Sequence, residues 1–242
     1  MVNTVEFDTE IGARFVRYAH MVARRGYVHN TLGNMVMRKP HSDFEHGVAY
    51  TKHAEISLEE MTVDNIVITD IPTSRLLHGD AMTSVGHNLS REILRLRPDI
   101  NAVIHVHHDE TIAYFGSGAF QELRILSLDM PFIHGKPPHY VPADVDVESD
   151  VGPVREFIAA TNCVVLLGHG VTTLGRTISE AYHRLNSFAS EVRRNIIAEH
   201  LAAIKGSTIR YRSQDEIDLM HRFAEQIIYP DRPEAVMAAG GS

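Results

Sequence analysis

Apolar residues recur at helical spacing near the start of the chain. Ile11, Phe15, Tyr18, Ala19 and Val22 fall on one face of a helix predicted over residues 9–25, and Gly26 stands where such a helix stops. Thr31-Leu32-Gly33-Asn34 reads as a turn into a strand at 35–37, with a hairpin partner at 47–51. A strand at 65–70 ends on the turn Ile71-Pro72-Thr73-Ser74. A helix over 87–96 is closed by Arg97-Pro98-Asp99, a strand follows at 102–107, and a further helix begins near Asp109. The apolar run 164–167 predicts another strand, ending in Gly168-His169-Gly170. Thr177-Ile178-Ser179-Glu180 supplies a capping box to a long helix over 178–204, whose stripe is Ile178, Ala181, Leu185, Phe188, Val192 and Ile196. The tail after about residue 230, ending Ala-Ala-Gly-Gly-Ser, is expected to fray. Strands and helices mix without strict alternation. This predicts a hairpin-rich sheet covered by helices rather than a doubly wound parallel sheet.

The 242 residues, 44% of them hydrophobic, are enough for one sizeable core. No composition shift or Pro/Gly/Ser-rich break divides them, so a single domain over 1–242 is expected. No apolar run approaches the roughly 20 residues that span a bilayer. The N-terminal residues lack the basic start and apolar core of a secretory signal. The lone cysteine, Cys163, has no partner for an intramolecular disulfide. These features together predict a cytoplasmic protein without a membrane partner. Cys163 lies in an apolar run, which favours a buried, inert thiol. A net charge of −8 argues against nucleic acid, whose phosphates need a basic face. The unusual quantity is histidine, with 16 copies.

His105 and His107 stand two apart within a predicted strand, so their imidazoles project from one face. Nitrogen–metal distances of about 2.0–2.1 Å for zinc are within reach of such a pair. Two half-exposed histidines on a sheet edge would give the same spacing. His169 sits between two glycines directly after an apolar strand, where a histidine has no packing role; the glycines allow a sharp turn that presents one side chain. His105, His107 and His169 therefore form a candidate three-histidine site for a divalent ion. Three protein ligands with open positions describe a catalytic rather than a closed structural site. Zinc, manganese, iron and cobalt all suit such donors.

Several ordered segments then resemble the class II aldolase/adducin family. Arg97-Pro98-Asp99-Ile100-Asn101-Ala102-Val103-Ile104-His105-Val106-His107 is similar to its first ligand block, and Leu167-Gly168-His169-Gly170-Val171 to its second. Gly33-Asn34 resembles the Gly-Asn that opens its substrate loop, and Met61-Thr62-Val63-Asp64-Asn65-Ile66-Val67 a further family segment. The resemblance runs from about Ala23 to Ile197. It implies a three-layer α/β/α sandwich around a central, mostly antiparallel sheet, a homotetramer with sites between subunits, and a divalent ion on the three histidines. Its members are aldolases, epimerases, dehydratases and decarboxylases, alongside adducin-type scaffolds.

The chain departs from the family pattern where that pattern handles protons and phosphate. Gly86 falls at the position of the family's catalytic glutamate, and no Asp or Glu lies between Asp80 and Glu92. His87 is the nearest titratable residue and is expected to take the catalytic role. The phosphate turn is replaced by Thr51-Lys52-His53-Ala54-Glu55, and of the family's paired serines only Ser84 remains, followed by Val85. A phosphate wants several N–H and hydroxyl donors at once, so an unphosphorylated small molecule is expected. Asn34, Lys52, His53 and Ser84 are the candidate substrate-binding residues, with Lys52 and His53 placed to hold a carboxylate. A solvated hairpin is the alternative for that pair. His108, His134 and His139 are further histidines near the blocks, the last two in a loop stiffened by Pro137 and Pro138. Decarboxylation needs no base to remove a hydroxyl proton, so a missing carboxylate favours a metal-dependent decarboxylase of a hydroxy carboxylate, aromatic acids included. The alternatives are retro-aldol cleavage of a small hydroxy acid or sugar, and a non-catalytic adducin-like scaffold.

Overall fold

The computed structural model describes residues 2–227. In chain order the elements are β1 (Val2–Asn3), α1 (Thr9–Arg24), β2 (Asn34–His41), β3 (Phe44–Lys52), β4 (Ile66–Asp70), β5 (Leu76–Gly79), α2 (His87–Leu96) and β6 (Ala102–Val106). They continue as α3 (Asp109–Gly116), α4 (Asp129–His134), β7 (His139–Val141), α5 (Val154–Phe157), β8 (Cys163–Leu166), β9 (Gly170–Gly175), α6 (Ile178–Lys205) and α7 (Gln214–Ile227).

The strands described form a nine-stranded sheet in the order β1-β5-β4-β3-β2-β6-β9-β8-β7. Every pairing is antiparallel except β7 with β8. Strand alternation splits the apolar residues between two cores. Met35, Met37, Ile104 and Val106 face α1, α3 and α6, whereas Val36, Val103, Val164 and Leu174 face α2 and α5. The result is the expected α/β/α sandwich on a mostly antiparallel sheet.

Local chemistry explains the main boundaries. Asp8 caps α1, its carboxylate accepting from the Glu10 and Ile11 backbone N–H groups at 3.1 Å each. Gly26 follows that helix at φ +74°, a conformation that costs other residues energy. Thr177 caps α6 through Glu180 N–H at 3.2 Å.

The predicted helix over 87–96 is reproduced residue for residue, and those over 9–25 and 178–204 to within one residue at each end. Strand β2 runs longer than the predicted 35–37 because its outer half, beyond Met37, is only partly buried and carries Arg38, Lys39 and Pro40. Strand β9 escapes the pattern because its central threonines are buried and partnered: Thr172 meets His105 and Thr173 donates to the Ala181 carbonyl at 2.9 Å. Strands β1, β5 and β7 and helices α4, α5 and α7 were also beyond the periodicity. The proline-stiffened segment is not all loop: His134 ends α4, with Gly135 at φ +67°, and His139 opens β7. Cys163 is buried, and burial raises its thiol pKa, as an inert core cysteine requires. The fraying expected after about residue 230 lies outside the described residues. Among those described, no helix is long and apolar enough to cross a membrane.

Candidate metal centre

The site begins as one row across the sheet. Asn34 on β2 pairs with His105 on β6, which pairs with Thr172 on β9. His105 is thus held between an amide and a hydroxyl and projects to the α2 side with Val103. Its Nδ1 lies 2.9 Å from Thr172 Oγ1. With the proton on Nδ1 donated to that hydroxyl, Nε2 keeps its lone pair, the tautomer a metal ligand needs.

His107 follows β6 directly, and the turn at 167–169 brings His169 to it, the two Nε2 atoms 3.1 Å apart. Gly168 takes φ +74° in that turn. Gly170 is pressed against the Val106 carbonyl and the His107 backbone, where a Cβ would collide. Only glycine allows this approach, which sets His169 beside His107. One ligand atom from each of His105, His107 and His169 lies within 4.8 Å of the others.

A divalent ion fits these residues on the chain's own evidence. His105 is 1% exposed, and its Nε2 is buried without a hydrogen-bond partner among the described residues. An orphaned imidazole lone pair aimed at two further imidazoles is costly unless something occupies the space between them. Burial holds the His105 pKa well below its usual value, with His107 and His169 adding to the effect; burial, then His169 and His29, pushes His107 down to about 4. Both rings are therefore neutral near pH 7, as ligation demands.

A carboxylate absent from the expected position arrives from another segment. Glu148 lies in the stretch between β7 and α5, and its Oε1 is 3.6 Å from His105 Nε2 and its Oε2 3.3 Å from His169 Nε2. A Cβ built at Gly86 would collide with the Glu148 carboxylate and the Asn34 amide. The space where a residue-86 side chain would begin is thus filled by the head of Glu148. Asp146 accepts from the Glu148 and Ser149 N–H groups at 3.0 and 3.2 Å, and Val147 is buried in the α2-side core, so the carboxylate is set by local structure. Burial raises its pKa, partly opposed by His169 and increased by Asp146. In the sequence Glu148 sits in an acidic run, Asp144 to Asp150, that reads as solvated surface. Thr172 gave no signal either, beyond lying three residues past His169.

Two sequence expectations are corrected by the fold. His87 is fully buried, its Nε2 2.8 Å from Thr69 Oγ1 on β4. Its ring thus turns to β4, which strands β3 and β2 separate from the β6 that carries His105. His87 is a core histidine, not the acid/base its sequence position indicates. Lys52 is also fully buried. Its Nζ donates to the Thr31 and Ile56 carbonyls at 2.8 Å, with longer contacts to His53 and Ala54 at 3.4 Å. Burial lowers its pKa to about 8. It ties the turn before β2 to the segment after β3 and has no free valence for a substrate carboxylate. Lys52→Met is accordingly expected to lower stability by about 2–4 kcal/mol, since it strands buried carbonyls. Urea unfolding checks this, and an unchanged midpoint would refute the role.

Of the other candidates, Asn34 lies at the site, and the structure does not bring His53 to it. His53 is half-buried and its Nδ1 accepts from Glu55 N–H at 3.1 Å. Asn34 is buried with its Oδ1 accepting from Ser90 at 3.0 Å, which leaves its NH2 facing Gly86. Ser84 has a buried hydroxyl without a partner among the described residues. His108 bonds Thr111 and pairs with Glu110 at 2.7 Å, His134 meets the Arg184 carbonyl at 3.0 Å, and His139 stacks on Phe157. None of these three joins the triad.

Beside His169 and Glu148 opens a cleft of about 280 Å³ with walls from Val85, Pro142, Val145 and Leu167. Its polar lining is Asp146, Glu148, Ser149 and His169, and among the described residues no lysine or arginine contributes.

Residues 13–196 match the profile of the Class II Aldolase and Adducin N-terminal domain, and the chain belongs to that family. An L-fuculose phosphate aldolase of Methanococcus maripaludis is 23% identical over 190 residues, 77% of this chain and 97% of that protein. One from Methanococcus vannielii is 25% identical over 171 residues, 69% of this chain and 86% of its own. Among solved structures, YgbL of Klebsiella pneumoniae, a candidate aldolase/epimerase/decarboxylase, superposes with a TM-score of 0.74 at 17% identity, covering 89% of this chain and all of that one. An L-fuculose 1-phosphate aldolase from Glaciozyma antarctica gives a TM-score of 0.70 at 16% identity over 87% of this chain and 80% of that one. At such identities the superpositions establish the fold. Family and relatives together define a class II aldolase-like lyase.

Proposed function

We propose that this chain is a divalent-metal-dependent carbon–carbon lyase that decarboxylates an unphosphorylated hydroxy carboxylate. The observation that carries this reading is the cleft beside His169 and Glu148: it is apolar and acidic, and among the described residues of this chain no lysine or arginine lines it. A phosphate dianion finds neither a counter-charge nor a cluster of donors there. A carboxylate that leaves as neutral CO2 is relieved of the Asp146 and Glu148 charges as it goes. An ion on His105, His107 and His169 would supply Lewis acidity to the substrate's oxygen atoms. The Asn34 NH2, facing Gly86 beside the Glu148 carboxylate, is a donor suited to orient a substrate oxygen, and Ser84, two residues before Gly86, carries a hydroxyl without a partner among the described residues.

The Glu148 carboxylate favours a second reading, retro-aldol cleavage of a small hydroxy acid or sugar. The sequence argument against that reaction was the lack of a base at position 86, and Glu148 now lies at that place. The two readings part at their products. Zinc- or manganese-loaded protein incubated with hydroxy carboxylates is expected to release CO2 and to stop on chelation. Release of an aldehyde without CO2 would establish the aldolase instead. A metal-free protein inert toward every substrate would favour a scaffold. The reading includes a homotetramer, as the family resemblance implies. It is supported by the exposed Ile197, Leu201 and Ile204 of α6, an apolar surface of the kind that subunits cover.

A further inference from the structure

We propose that Glu148 is a fourth protein ligand of this metal centre and replaces, from a different segment of the chain, the carboxylate that Gly86 lacks. The inference rests on the metal-dependent reading above and deepens it. Three observations lead to it. First, the Glu148 oxygens lie 3.6 and 3.3 Å from His105 and His169 Nε2, and His107 and His169 Nε2 lie 3.1 Å from each other. Ligand atoms about 2.0–2.1 Å from one ion in a tetrahedron stand about 3.4 Å apart. The contact of one Glu148 oxygen with His169 has that spacing, and that of the other oxygen with His105 is slightly longer. Second, the nearly fully buried His105 Nε2 has no partner, and Glu148 is the acidic group that approaches it. Third, the Glu148 head occupies the space that a side chain at position 86 would enter.

The third observation makes the assignment more than a nearby acid. Gly86 has φ −60° and ψ −10°, ordinary right-handed backbone that any residue adopts, so no turn geometry demands glycine there. What excludes a side chain at 86 is the Glu148 carboxylate itself, together with the Asn34 amide. As placed, the Glu148 carboxylate and a Cβ at position 86 overlap, so a side chain at 86 requires the carboxylate to move. The loop carrying Glu148 is held by the Asp146 turn and by buried Val147, so the carboxylate reaches the triad without a change in the sheet.

Metal binding tests this independently of any reaction. Full-length protein is stripped of metal, zinc affinity is measured by chelator competition, and cobalt(II) serves as the spectroscopic probe. Glu148→Ala is expected to weaken zinc binding by about tenfold or more, in line with effects even of outer-shell partners. It should also change the intensity and position of the cobalt visible bands. Glu148→Gln, which keeps the volume, should weaken binding in the same direction, and melting of the metal-free forms shows that both variants fold. The double variant Gly86→Glu, Glu148→Ala is expected to recover most of the lost affinity, because the vacated volume accepts the new carboxylate once the Asn34 amide shifts. Gly86→Glu alone should not improve binding. Zinc affinity and cobalt spectra unchanged in Glu148→Ala and Glu148→Gln would overturn the ligand role. A double variant no tighter than Glu148→Ala would overturn the replacement of position 86. A wild-type chain that takes up no metal would instead remove the metal-dependent reading itself, and the inference with it.

Discussion

His105→Ala is expected to abolish metal uptake and to lower kcat/KM on any substrate turned over by at least about a thousandfold, the scale of a lost Lewis acid. His105 is the most constrained of the three ligands. It is buried, it pairs across the sheet with Asn34 and Thr172, and its Nδ1 is engaged at 2.9 Å while its Nε2 is free. No other imidazole can move into its place, because His107 and His169 already face the same point. The loss should be chemical more than structural. The cavity and the unpaired Thr172 hydroxyl cost about 1–3 kcal/mol, which leaves a folded protein by circular dichroism. Thr172→Val provides a graded control. It keeps the ligand, removes its orienting partner, and should weaken metal affinity by about 10–100-fold. Stoichiometric metal and undiminished turnover in His105→Ala would refute the triad as the metal site.

The triad was legible in the sequence because its spacing is a local property of backbone geometry. Two residues along a strand return to the same face, and a histidine flanked by glycines after an apolar strand has little else to do. The partners of those ligands were not legible, because they meet across distance. Thr172 reaches His105 only through the pairing of β6 with β9, and β9 hides its period behind buried threonines. Glu148 lies 43 residues from His105 along the chain, in an acidic run that resembles solvated surface; its role depends on a volume left open at Gly86. The same limit produced the two corrections. A lysine in a polar segment and a histidine beside Gly86 both read as available groups. Burial decides against them: Lys52 spends its charge on backbone carbonyls and His87 turns its ring to β4. What remained readable at that end of the site was a deficit, the missing phosphate donors. The cleft agrees with that deficit in offering, among the described residues, no lysine or arginine.

Stability should fall markedly between pH 7 and pH 5, above the range in which ordinary carboxylates titrate, and the buried His87 and His134 are a main reason. Burial lowers the pKa of each to about 3, with the Arg91 charge adding to the shift at His87 and the Arg184 charge at His134. His87 meets Thr69 through Nε2, and His134 meets the Arg184 carbonyl through Nε2, while the Nδ1 of both is buried without a partner. A second proton would put an N–H at a buried nitrogen that has no acceptor. In the unfolded chain both rings bind a proton near pH 6.5. Between about pH 6.5 and pH 3 the unfolded state therefore holds more protons, and stability falls as pH falls through that window. At pH 5 the loss is roughly 2 kcal/mol for each ring, a large share of the 5–15 kcal/mol typical of a folded domain. Urea unfolding of the metal-free protein should accordingly show a drop of about 4 kcal/mol or more between pH 7 and pH 5. His134→Gln keeps a donor for the Arg184 carbonyl and cannot titrate, so its drop should be smaller by about 2 kcal/mol. Equal drops in the variant and the wild type would show that His134 binds its proton as readily folded as unfolded, and would remove it from the account.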